Sequence, residues 1–133
     1  MENLHDYELT QQLVVRRRQV LRQMSDDVRW LIAQPADSWI WVSSQRDLVD
    51  LIHTVWLQQT ITDDLVRPLS QAKLCQLAFA AVGLPMPSNV ASIVRKVCNR
   101  SNERLSMLYR YEAMEDVSEM LHHFIKKRYH ETK

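Results

Sequence analysis

The chain is 133 residues long, 46% hydrophobic and 25% charged, a length that makes one domain over 1–133 with enough apolar surface to bury a core. One glycine against four prolines excludes a strand-rich fold, which needs glycines for its hairpins and bulges. The net charge of +1 excludes a polybasic protein but not a nucleic-acid binder, because the distribution of charge matters more than its sum.

Good helix formers are common throughout, and the expectation is an all-α protein. The first element is a long helix over 6–34. Leu13, Val14, Val20, Leu21, Met24, Val28, Leu31 and Ile32 recur at three- and four-residue steps. Pro35 closes it by pushing the preceding residue away from helical backbone. Arg16, Arg17, Arg18 and Arg22 give its middle a basic cluster, read as a solvated face with a secondary phosphate contact as the alternative. Residues 35–42 form a connector in which Trp39, Ile40 and Trp41 plug a core or a helix junction.

Ser43 or Ser44 caps a second helix reaching Gln58, with Asp47 in its first turn and Leu48, Leu51, Ile52, Val55 and Trp56 as its apolar stripe. His53 lies beside that stripe and reads as structural. Residues 60–69 form a loop, where Asp63 and Asp64 before Pro68 are turn chemistry rather than metal ligands. Ser70 caps a third helix to Val82, and Gly83 supplies the left-handed residue that ends it. Pro85 and Pro87 prevent its continuation.

A fourth helix spans 88–100. Val90, Ile93, Val94 and Val97 point one way; Ser88, Ser92, Arg95, Lys96 and Asn99 point the other, with Asn89 and Arg100 on the flank. That polar face holds no acid, and its hydroxyl, amide and cationic groups match phosphates and base edges. Between Ser88 and Tyr111 there are five cations and one anion, whereas Ser43 to Leu69 holds two cations and four anions. A fifth helix is expected over 102–129, with a core face of Leu105, Leu108, Met114, Val117, Leu121, Phe124 and Ile125. Arg104 and Arg110 at its start oppose the helix dipole, a conflict that phosphate binding would relieve. The architecture is then an orthogonal bundle with a helix-turn-helix-like core between two long flanking helices. Its recognition helix offers Ser92, Lys96 and Asn99 to base edges, with Arg95 on the same face. Arg100, Arg104 and Arg110 are assigned to phosphates.

The segment Trp41-Val42-Ser43-Ser44-Gln45-Arg46-Asp47-Leu48-Val49-Asp50-Leu51-Ile52 resembles the aromatic, Ser-Lys-Thr-Asp-Leu-Val-Glu-Leu-Ile run of the RteC family. Those proteins are regulators associated with conjugative transposons in Bacteroides-type bacteria. Residues 61–69 are similar to that family's linker, and Ile93 to Leu108 is similar to its Ile-Arg-x-Arg-Lys-x-x-x-Thr-x-Phe-Leu run. There Arg95, Asn99, Arg100 and Arg104 stand at or near basic and polar positions. The resemblance covers about 41–121 and implies a regulator that binds double-stranded DNA. A homodimer would suit it, since half-sites are often read by symmetric dimers. The alternative is a helical protein–protein interaction module without DNA binding.

An enzyme is not expected, because there is no glycine-rich phosphate loop, nucleophile elbow or metal-ligand spacing, and no cofactor is implied. Cys75 and Cys98 lack a CxxC partner and read as small hydrophobes in a reducing compartment. With no signal-like N-terminus and no apolar run of membrane length, a cytoplasmic location away from membranes is the expectation.

Overall fold

The computed structural model describes residues 4–129; the outermost parts of the domain expected over 1–133 lie outside the described residues. The protein is all-α. Five helices, α1 (Leu4–Ile32), α2 (Gln45–Leu57), α3 (Gln71–Ala81), α4 (Val90–Cys98) and α5 (Met107–Glu112), carry the fold. One small ribbon joins β1 (Trp39–Trp41) to β2 (Ile125–Lys127), antiparallel with Ile40 opposite Lys126.

Local chemistry sets the helix starts. Ser44, Ser70 and Ser106 accept hydrogen bonds from the backbone N–H groups of Asp47, Lys73 and Tyr109, each satisfying a donor that has no partner inside its helix. Gly83 ends α3 at φ 68°, and a Cβ there would run into the Asp37 carboxylate.

The core lies where α1, α2 and α3 meet. Val20, Met24, Val28 and Leu31 pack with Leu48, Leu51, Ile52 and Val55, and with Leu74, Cys75, Ala78 and Phe79. Tyr111 of α5 is fully buried beside them, and its hydroxyl donates to Asp27 Oδ2 at 2.7 Å. Within the connector after α1, Trp39–Trp41 form β1. Trp41 is buried, stacks on Phe124 with centroids 5.4 Å apart, and donates from Nε1 to the Ser44 carbonyl at 2.8 Å.

The expected long helix over 102–129 is not formed. That stretch holds a 3-10 turn at Glu103–Leu105, the short α5, two further turns at Val117–Glu119 and Leu121–His123, and β2. Asn102, Ser106 and Asp116 each accept a bond from a backbone N–H two or three residues on. These local bonds offer the backbone an alternative to a continuous helix. Arg110 therefore sits in the last turn of α5, where a cation is favoured, and the expected conflict with the dipole is absent.

Candidate nucleic-acid interface and a thiol cluster

α4 is short and strongly two-sided. Val97 is buried; Val90, Ile93 and Val94 are half-buried against the core. The opposite side carries Arg95, Lys96 and Asn99, all exposed, and half-exposed Ser92; these four line one shallow, open depression. Arg95 and Lys96 occupy the last turn, so the helix dipole itself favours them there.

The connector between α3 and α4 runs over 82–89, longer than the three- or four-residue turn of a compact helix-turn-helix. α4 is held chiefly by α2 rather than by α3. Of Leu74, Leu77, Ile93 and Val97, the four side chains expected to set the angle between α3 and α4, Leu74 and Val97 are buried while Leu77 and Ile93 are half-buried.

Two of the expected phosphate ligands are used inside the molecule. Arg100 donates from Nη2 to Asp50 Oδ2 at 3.2 Å and from Nε to the Val97 carbonyl at 3.0 Å. Its side chain is 14% exposed. Asp50 Oδ2 also accepts from the Met107 N–H at 3.0 Å, so one carboxylate of α2 ties down the end of α4 and the start of α5. Arg110 reaches both oxygens of Asp47, donates to the Leu105 carbonyl at 2.7 Å, and lies 5.5 Å from the centre of the Phe124 ring. Burial acts to raise the Asp47 carboxyl, but the bonds from Arg110 and Ser43 outweigh it and hold the group below its ordinary value. Arg104 is exposed on the 3-10 turn that follows α4. Ser92, Arg95, Lys96 and Asn99 thus come together, Arg104 stands nearby in sequence on its own turn, and Arg100 and Arg110 are structural. The partners that claim them, Asp50 and Asp47, lie far upstream and leave no local signal.

The basic cluster of α1 is divided in the same way. Arg16 donates to the Met114 carbonyl at 2.7 Å and Arg17 to Glu112 at 2.6 Å, binding α1 to the end of α5 and the turn after it. Arg18 lines a separate groove with Arg22 and Arg29. Asp63 organises its loop by accepting from the Leu65 and Arg67 backbone N–H groups at 2.9 and 3.0 Å. Among the described residues, no three His, Cys, Asp or Glu side chains converge on a metal position.

One further cluster has no signal in the sequence. His53 of α2 is bonded through Nδ1 to Gln71 Oε1, the first residue of α3, at 2.5 Å. Its Nε2 lies 3.7 Å from Cys98 Sγ at the end of α4. Cys98 is exposed, unlike buried Cys75, so it is not the small hydrophobe that the sequence suggests. Three helices contribute one residue each, which is why no spacing in the sequence marks the group.

The class that fold and surface define is a small all-α protein, and no helix among the described residues is long and apolar enough to cross a membrane. No family model, curated protein or solved structure matches the chain.

Proposed function

We propose that the chain is an RteC-like DNA-binding regulator of a mobile genetic element, acting in the cytoplasm and meeting the duplex with α4. The observation that carries the DNA part is the acid-free exposed side of α4, where Ser92, Arg95, Lys96 and Asn99 share one depression. The resemblance over 41–121 supports the regulatory part. In this reading Arg95 and Arg104 neutralise phosphates, while Lys96, Asn99 and Ser92 face base edges. Arg100 and Arg110 act indirectly, by fixing the ends of the elements that flank this surface.

The test is fluorescence anisotropy of the protein with a labelled duplex across a salt series. Arg95→Ala/Lys96→Ala is expected to weaken binding and to flatten the slope of log K against log salt by about one for each phosphate left without its cation. Absence of salt-sensitive binding by the unaltered chain at low salt removes the reading.

A second reading, a helical interaction module, is favoured by one observation. The first half of α1 leaves Leu4, Tyr7, Leu9, Leu13, Val14 and Val15 exposed. Self-association through that half is compatible with DNA binding by a dimer.

A further inference from the structure

We propose that Cys98 is a nucleophilic thiol, with His53 as its base and Gln71 as the residue that positions the base, and that it forms a mixed disulfide with a low-molecular-weight disulfide. The inference is independent of DNA binding. It rests on three juxtaposed groups and on access to the sulfur.

With the Gln71 amide oxygen assigned to this contact, it can only accept, and the His53 nitrogen bonded to it at 2.5 Å is then the protonated one. The neutral ring then presents its Nε2 lone pair to the thiol 3.7 Å away. That is the relation of nucleophile, base and orienting group that activates a weak nucleophile, with the base–thiol distance on the loose side of a hydrogen bond. Trp56, with its ring centre 5.8 Å from that of His53, limits the other positions the imidazole can take.

The sulfur is reachable. Cys98 borders an open groove of about 300 Å³, shared with Arg17, Arg100, Ser106 and Tyr109. This is space for a small reactant rather than a folded partner.

The place of Cys98 in its helix selects the chemistry. It is the last residue of α4, an end at which the free backbone groups are carbonyls. Those groups cannot donate to an oxyanion, so the helix end gives acyl transfer none of the backbone stabilisation it uses. Disulfide exchange needs none, because its developing charge is carried by sulfur. In the step, Cys98 Sγ attacks one sulfur of the disulfide and a new S–S bond forms as the old one breaks. The thiol proton passes to His53 Nε2 and from there to the departing thiolate. One thiol and one disulfide are consumed and one of each is produced.

The experiment follows glutathione disulfide by intact-protein mass spectrometry near neutral pH. Cys75 is an internal control, because burial pushes its thiol up to about 11. The unaltered chain is expected to gain one glutathione, on Cys98, at least about tenfold faster than a free cysteine peptide. Cys98→Ser abolishes the adduct. His53→Asn lowers the rate to that of the peptide, and Gln71→Leu lowers it similarly. Gln71→Glu, which keeps an acceptor oxygen on Nδ1, restores it; a purely structural role for Gln71 would not give that rescue. Circular dichroism identifies any variant that fails to fold, and Gln71→Leu carries the test if His53→Asn does. A rate equal to the free peptide in the unaltered chain, or one unchanged in folded His53→Asn, overturns the proposal.

Discussion

At the scale of single residues, two buried or half-buried carboxylates behave in opposite ways. Asp47 is held below its ordinary value by Arg110 and Ser43 despite its burial. Its contribution to stability is therefore present above the unfolded carboxylate pKa of about 4 and is lost as pH falls through the lower folded value. Arg110→Ala is expected to cost about 2 kcal/mol, because it leaves Asp47 partly buried without its cation. The same variant should lose part of the acid limb of the stability curve, which urea titrations at pH values on either side of the transition would reveal. Asp27 shows the reverse. Burial raises its carboxyl more than the bonds from Tyr111 and Gln23 lower it. A raised folded value means that ionising Asp27 opposes folding, so this residue favours the folded state most at acid pH and less as pH rises through that value. Asp27→Asn is expected to flatten that dependence and to leave stability at neutral pH unchanged or increased. A large loss at neutral pH would mean that the carboxylate's bonds to Tyr111 and Gln23 outweigh its desolvation.

At the scale of elements, the corner after α3 is set by Gly83. Its positive φ and the Asp37 carboxylate at the position of a missing Cβ act together, so Gly83→Ala is expected to destabilise the fold by about 1–2 kcal/mol, measured as a drop in urea midpoint with unchanged slope. That corner is legible in the sequence, as are the serine caps of α2 and α3, because glycine conformation and capping are local chemistry. The amphipathic pattern of α4 is legible for the same reason. The segment after Arg100 is not. Its apolar spacing fits a helix, yet Asn102, Ser106 and Asp116 divert the backbone, and β2 forms only because β1 lies beside it. Pairing between residues as far apart as Trp39 and Lys127 leaves no periodicity in either strand. The site divides likewise: the exposed side of α4 follows from helical spacing, whereas the structural roles of Arg100 and Arg110 are hidden because their carboxylates come from a different helix.

At the scale of the whole molecule, α1 extends past the body it anchors. Val20, Met24, Val28 and Leu31 are buried, but residues 4–19 are exposed apart from half-exposed Arg16. Helical spacing puts Leu4, Tyr7 and Val14 along one side of that projection, with Val15 and Glu8 beside them and Arg18 and Arg22 further along it. Two copies laid antiparallel would cover these apolar side chains and bring Glu8 of each against Arg18 or Arg22 of the other, about 15 Å along the helix. A parallel pair would place like charges together instead. The expected outcome is concentration-dependent dimerisation in sedimentation velocity, with a midpoint that rises with salt because exposed charge pairs are screened. Tyr7→Asp/Val14→Asp should give a folded monomer, since both positions are exposed and the core lies elsewhere. Glu8→Arg should weaken association, and adding Arg18→Glu and Arg22→Glu should restore it, a pattern that only the antiparallel arrangement produces. A chain that stays monomeric at every concentration would leave α4 to meet DNA singly. Its proposed site would then be one α4 footprint, not a palindrome with half-sites a helical turn apart.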